Sequence, residues 1–280
     1  TLTGIGAVYN TIGKPQKALE YLEKALPISQ EVSDRSGAAT TLNSIGLVYY
    51  RIGKPQKALE FYEKALSISQ EVGARSKEAA TLTGIGAVYN TIGKPQKALE
   101  YLEKALPISQ EVGDRSQEAT TLNNIGGVYS QIGQPQKALE YYEKALPIRQ
   151  EVGDRSGKAT TLNNIGIVYN TIGKPQKALE FFEKALPILK EVGNRSVEAT
   201  TLNNIGVVYH SIGKPQNALE YYEKALPIMQ EVGDRSLEST TLSNIGAVYR
   251  DSNQPEKAIE HWKKSVKITL EMRGGLKKEN

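Results

Sequence analysis

Apolar residues return along the chain at helical spacing, in the same order every 40 residues. In the copy that begins at Thr41, residues Leu42, Ile45, Gly46, Tyr49 and Ile52 fall three or four apart and share one helix face. The pattern then breaks at Gly53, Lys54 and Pro55. Glycine supplies the left-handed residue that ends a helix, and proline suits the first turn of the next. A second stripe of Ala58, Tyr62 and Ala65 follows, with Glu60 and Lys64 on the opposite side. That i,i+4 pair contributes only tenths of a kcal/mol. Gly73 closes the second helix, and Ser76 or a neighbour is expected to cap the next.

The unit recurs without insertion. TLTGIG at Thr1 returns as TLNSIG at Thr41, TLTGIG at Thr81, TLNNIG at Thr121, Thr161 and Thr201, and TLSNIG at Thr241. The seven copies span residues of about 1–35, 36–75, 76–115, 116–155, 156–195, 196–235 and 236–272, one array followed by a tail at 273–280. Residues 1–32 and 81–112 are identical, so sameness between copies reflects duplication and variation is more informative. Thr1 aligns with Thr41, well inside a helix, so the first helix is expected to lack its opening turn and the chain to be an excised piece.

The spacing Leu42-x2-Ile45-Gly46-x2-Tyr49, then Ala58-x3-Tyr62, resembles the tetratricopeptide signature over nearly the whole chain, with leucine in place of the signature tryptophan. The usual period in that family is 34. The extra residues here lie between Ala65 and Leu82, where both helices are expected to be longer. The 40-residue repeat is similar to those of spindle-orientation adaptors and to arrays that precede caspase-like CHAT peptidases in bacterial proteins. The resemblance implies an all-α, right-handed solenoid (superhelix) of seven helix pairs. It implies a cytoplasmic scaffold that binds proteins or peptides, with a self-associating array or the regulatory arm of a downstream effector as rivals.

One helix pair cannot bury its stripe alone, and neighbours complete the burial. Gly46 and Ala58 permit close approach, and Tyr62 fills the space beside them. Its equivalents are Leu22, Leu102, Tyr142, Phe182, Tyr222 and Trp262, a register that makes the single tryptophan a core residue. Pro27, Pro107, Pro147, Pro187 and Pro227 fall inside second helices, where Ser67 and Lys267 stand in the other two copies. An interior proline removes a backbone hydrogen bond, so those helices are expected to kink or end early. The last copy, with His261, Trp262, Lys263, Lys264 and Ser265, is expected to be an end cap with a polar outer face.

Composition narrows the chemistry. Zero cysteines exclude disulfides and thiolate sites. The net charge of +4 owes much to the end, where seven Lys or Arg stand against four Glu from Asn253 onward, so no basic stripe marks a nucleic-acid binder. No apolar run approaches the roughly 20 residues that cross a membrane. His210 and His261 are the only histidines, no metal-ligand spacing or phosphate loop is present, and the Glu60/Glu63-type pairs read as solvated faces. No catalytic residue, metal or cofactor is expected.

The face of the first helix opposite Leu42–Tyr49 is where a ligand would sit, since the resemblance implies that it lines the concave groove. It carries Thr40, Asn43, Ser44, Leu47, Tyr50 and Arg51. Two positions vary between copies, giving Leu47, Ile167 and Val207 at one and Tyr50, His210 and Arg250 at the other. Two rows are rich in asparagine: Asn43, Asn123, Asn163 and Asn203, then Asn124, Asn164, Asn204 and Asn244. Asparagine is a mediocre helix former, so propensity does not explain them. The rows either hold a peptide backbone, through one donor and one acceptor per side chain, or satisfy neighbouring helices.

Overall fold

The structure is a computed structural model, and it describes residues 1–276. The chain forms two compact units. The first, Thr1–Val152, pairs α1 (Leu2–Thr11) with α2 (Pro15–Glu31), α3 (Arg35–Arg51) with α4 (Pro55–Glu71), α5 (Arg75–Thr91) with α6 (Pro95–Glu111) and α7 (Arg115–Gln131) with α8 (Pro135–Glu151). The second, from Gly153 on, pairs α9 (Arg155–Thr171) with α10 (Pro175–Glu191), α11 (Arg195–Ser211) with α12 (Pro215–Val232) and α13 (Arg235–Asp251) with α14 (Pro255–Leu276). The described residues contain helices and no strand, and the fold class is the all-α solenoid of seven tandem helix pairs. Lys277–Asn280, half of the expected tail, lie outside the described residues.

The turns follow from local chemistry. After α3, Gly53 takes φ +70°, its N–H donates to the Tyr50 carbonyl, and the Lys54 N–H reaches back to the Tyr49 carbonyl at 2.9 Å. These two bonds satisfy carbonyls that a helix end leaves open. Asn253 adopts the same left-handed geometry, and so does Ser33 where the other copies have glycine. The cap of each inner first helix lies two residues before the expected serine. Asp34 Oδ1 accepts from the Gly37 N–H at 2.7 Å, and Asp234 from the Leu237 N–H at 2.9 Å. Ala74 starts α5 with no such bond, while Ser76 donates instead to Asp114 at 3.0 Å.

Helix length corrects one expectation. The helix with Ser67, α4, and the helix with Pro107, α6, both run 17 residues, so proline does not end the helix early.

Two kinds of contact build the core. Within a pair, the glycine lets a large side chain in: a Cβ on Gly46 would sit 2.9 Å from the Tyr62 ring. Between pairs, Ala58 and Tyr62 of α4 bury against Ile85 and Val88 of α5. Ala178 and Phe182 of α10 do the same with Ile205 and Val208 of α11. Each of the larger apolar side chains taken out of water, such as Ile85, Val88 or Phe182, contributes about 1.5–3 kcal/mol. Val48, fully buried with Ala18, Leu22 and Ile45, belongs to this core although the spacing argument passed over it. The first six pairs are also pinned by stacked rings, such as Tyr49 on Phe61 at 5.4 Å, with Lys57 over the Tyr49 ring and Lys64 over the Phe61 ring.

Burial holds the phenols of Tyr62, Tyr142 and Tyr222 well above the ordinary tyrosine range. A pKa raised in the folded state favours the neutral form, so this contribution is complete below the unfolded value of about 10 and drains away as pH rises beyond it. In a phenolate absorbance titration of the 15 tyrosines, these three should stay neutral until circular dichroism reports loss of helix. Full ionisation with helicity intact would contradict the burial.

The last pair departs from its expected character. Ile259, Val266 and Leu270 on the outer side of α14 are 49%, 55% and 60% exposed. The lysines of this copy do not replace them, and position 270 carries leucine where the other copies have glutamine or, at Lys190, lysine, so the outer face is apolar rather than a polar cap. Trp262 keeps the core register against Gly246 and donates from Nε1 to the Ser243 carbonyl at 3.1 Å, but it is only half-buried.

Candidate functional site

From α3 on, the first helices bury Leu42, Ile45 and Val48 and their equivalents; positions 44, 47 and 50 are half-buried in most copies, while at position 43 Asn43 and Asn123 are half-buried and Asn163 and Asn203 are buried, out of reach of a guest. The first asparagine row links consecutive helices. Asn43 Oδ1 accepts from the Thr81 hydroxyl at 3.1 Å, Asn163 from Thr201 at 3.0 Å and Asn203 from Thr241 at 2.9 Å. Those threonines are buried, so their hydroxyls require a partner. Where asparagine is absent a threonine makes the same link, as Thr3 does with Thr41 at 3.0 Å and Thr83 with Thr121 at 2.9 Å. Asn123 stands at this register in α7, half-buried and engaged.

The second row leans on the first. Asn204 Nδ2 donates to Asn163 Oδ1 at 3.4 Å, and Asn244 Nδ2 to Asn203 Oδ1 at 3.3 Å. Both bonds are long, and both donors are half-buried. Each of these amides keeps its Oδ1 and one amide hydrogen without a protein partner among the described residues. Asn164 is engaged as well, and Asn124 holds the equivalent half-buried place in α7.

The variable positions divide by unit. In the first unit Leu47 and Tyr50 rest on the cluster around Tyr62, and the Tyr50 hydroxyl meets Thr91 Oγ1 at 3.0 Å. In the second, Ile167 packs beside the Phe182 cluster and Val207 beside the Tyr222 cluster, each half-buried. His210 Nε2 lies 3.0 Å from Asp251 Oδ2, and Arg250 Nε donates to Asp251 Oδ1 at 2.7 Å. The Arg250 bond, with His210 assisting, holds the Asp251 carboxyl below the usual range. Arg250 itself is exposed.

The structure also shows a set that the sequence reading missed. Glu78, Glu118, Glu198 and Glu238 are buried at the start of their helices. Glu78 accepts from Gln70 Nε2 at 3.0 Å and from Arg75 Nη1 at 2.7 Å, while Arg75 Nη2 reaches Glu111 at 2.8 Å. The same bridge joins Gln230, Glu238, Arg235 and Glu271. The signal was present as Arg-Ser-x-Glu, with Gln eight residues before the glutamate, in the copies at 75, 115 and 235. Each carboxylate is already held by an arginine, so the set ties the end of one pair to the next rather than offering an acid or base. Among the described residues no three His, Asp or Glu gather as metal ligands, and no helix is long and apolar enough to cross a membrane.

Comparison with known proteins places this geometry. The family model of the tetratricopeptide repeat matches residues 1–71, 77–151, 117–191 and 197–271. No curated protein matches the chain. Among solved structures, the chain is similar to the apo form of the quorum sensor NprR from B. thuringiensis, with TM-score 0.76 and 17% identity over 96% of this chain and 75% of that one. It is similar to the Rap conjugation gene regulator of plasmid pLS20, solved in complex with the Phr* peptide, with TM-score 0.75 and 18% identity over 97% and 73%. It is also similar to BtubC from P. vanneervenii, with TM-score 0.68 and 23% identity over 79% and 92%. At these identities the likeness is one of fold.

Proposed function

We propose that this chain, which belongs to the tetratricopeptide repeat family, is a scaffold module that binds an extended peptide or protein segment along its first helices. One observation carries the reading. Asn204 and Asn244 are braced by the neighbouring asparagines yet keep an acceptor and an N–H for a guest, which is what a peptide unit requires. The solved complex of the similar Rap regulator with a peptide supports the same class of ligand.

Neighbouring first helices lie about 10 Å apart, and an extended chain advances about 3.3 Å per residue, so one asparagine meets about every third residue of the guest. Each net hydrogen bond contributes about 0.5–1.5 kcal/mol, part of which offsets the ordering of the guest. Backbone contacts alone therefore support affinities on the order of micromolar to millimolar. Preference among sequences comes from the variable positions. Ile167 and Val207 favour apolar side chains, and Arg250 and His210, both paired with Asp251, present a polar position. In the first unit Asn43, Leu47, Tyr50, Asn123 and Asn124 form the corresponding surface in this reading.

The test is a peptide array probed with the intact chain and with Asn204→Ala/Asn244→Ala. The double variant should lose about tenfold in affinity for its ligands, the equivalent of roughly one hydrogen bond. Unchanged affinity for every ligand, with helicity intact, would assign both rows to helix packing alone.

A further inference from the structure

The second asparagine row has a gap in α5, and we infer, resting on the peptide-binding reading above, that an asparagine or glutamine side chain of the bound segment fills it, held by Tyr62 and Asn43. The gap is a matter of register. Asn124, Asn164, Asn204 and Asn244 stand at the place where α5 has Gly84. In the second unit, Asn204 Nδ2 donates to Asn163 Oδ1 at 3.4 Å and Asn244 Nδ2 to Asn203 Oδ1 at 3.3 Å. The corresponding acceptor in the first unit is Asn43 Oδ1, which takes the Thr81 hydroxyl at 3.1 Å as Asn163 takes that of Thr201. Gly84 has no amide to send to it. Asn163 and Asn203 are buried, whereas Asn43 is half-buried. Ala87, three residues along the same face of α5, adds only a methyl group.

A tyrosine hydroxyl forms the floor of the gap. Tyr62 is 2% exposed, and its Oη lies 3.1 Å from where a Cβ on Gly84 would stand. No hydrogen bond among the described residues engages that hydroxyl, and it is not sealed in, so a guest can reach it. A hydroxyl that folding removes from water without giving it a partner favours any ligand that supplies one. The tyrosine does not itself impose the glycine, because Tyr222 is fully buried with asparagine at 244. The Tyr222 ring sits closer to the glycine of its own pair. A Cβ on Gly206 would meet its Cε1 at 2.5 Å and Cδ1 at 2.7 Å, against 2.9 Å for both Tyr62 atoms at Gly46. The Tyr62 ring leans instead toward Gly84 and carries its hydroxyl into the row.

The chemistry of the occupant follows from these two groups. Asn43 presents an amide, and Tyr62 Oη can donate or accept. Burial pushes the Tyr62 phenol pKa up, so its proton stays available. A carboxylate brings acceptors only, and an ammonium brings donors only. A carboxamide brings both. Its N–H repeats on Asn43 what Asn204 does on Asn163, and its oxygen takes the Tyr62 proton.

A peptide array probed with the intact chain tests this, each binding sequence being reprinted with Gln, Glu, Lys or Met at every position. One position should prefer Gln over the other three by about tenfold, the equivalent of one to two hydrogen bonds. Tyr62→Phe should cut that preference to about threefold or less. Phenylalanine stands at this register at 182, so the helices should be kept. Tyr62→Leu/Gly84→Asn rebuilds the pair that Leu102 and Asn124 make in α6 and α7, and it should abolish the preference while peptides still bind. Asn204→Ala/Asn244→Ala should weaken every peptide and leave the preference as it was. If peptides bind and respond to that double variant, but Gln and Met are equal at every position, the occupant is not a carboxamide and the groove reading stands. An undiminished preference for Gln in Tyr62→Phe overturns the role of Tyr62. Should Tyr62→Phe lose helicity, Tyr62→Leu/Gly84→Asn decides by the same outcomes. Absence of any bound peptide overturns the groove reading and the carboxamide site together.

Discussion

Phe182→Ala is expected to lower the stability of the second unit by about 3–5 kcal/mol, the range for deleting a buried aromatic ring. Phe182 is fully buried between Ala178 of its own helix and Ile205 and Val208 of the next pair. Truncation leaves a cavity, and the neighbours that would have to close it are held by both contacts at once. The loss falls on an interface between pairs, so it should act through nearest neighbours rather than evenly along the chain. Urea unfolding followed by circular dichroism gives the magnitude. Amide exchange should show the fastest opening in α10 and α11. Phe182→Tyr is the matched control: tyrosine stands at this register at 142 and 222, and the change should cost less than about 1.5 kcal/mol. A cost for alanine as small as that for tyrosine would mean that the interface does not rest on this ring.

How much of this could be read from the sequence depends on how local each feature is. The helix pairs, the left-handed glycines and the Tyr62 register follow from residues within one copy, and the structure places them as the spacing predicts. What the sequence left open depends on the offset between copies. Asn43 meets Thr81 across 38 residues and Asn204 meets Asn163 across 41, and no spacing rule within a helix predicts which of these distances closes. The first asparagine row thus links neighbouring helices at Asn43, Asn163 and Asn203, and Asn204 and Asn244 of the second row lean on it. Glu78 escaped the sequence reading for a similar reason. Its partner Gln70 stands at the end of the preceding helix, eight residues earlier, and no periodicity within one helix points to that contact. Ser76 was a plausible cap by composition, yet the turn geometry gives that role to the residue two places earlier, which is alanine in that copy. The polar character expected of the last pair failed because the lysines of α14 stand at positions other than those of the three exposed apolar residues.

Two helical glycines should respond to alanine with opposite signs. Gly206→Ala gains the better helix propensity of alanine, about 1 kcal/mol. Its new Cβ, however, would lie 2.5 Å from Cε1 and 2.7 Å from Cδ1 of Tyr222. Tyr222 is fully buried against Ala218, Ile245 and Val248, so the ring cannot swing aside without opening the next interface. Overpacking of that kind costs about 1–3 kcal/mol and occasionally more, so the clash outweighs propensity and the variant should be destabilised. Gly127 also sits within a first helix, one position beyond the equivalent glycine, Gly126. A Cβ there meets only the Tyr142 hydroxyl, at an ordinary 3.7 Å. Gly127→Ala should therefore stabilise its unit by about 0.5–1 kcal/mol through propensity and the reduced freedom of the unfolded chain. Thermal and urea unfolding of the two variants side by side separate the effects. If Gly206→Ala were as stable as the parent, the ring of Tyr222 would have room to move, and the close approach of helix to helix at that glycine would not be what fixes the spacing of the pair.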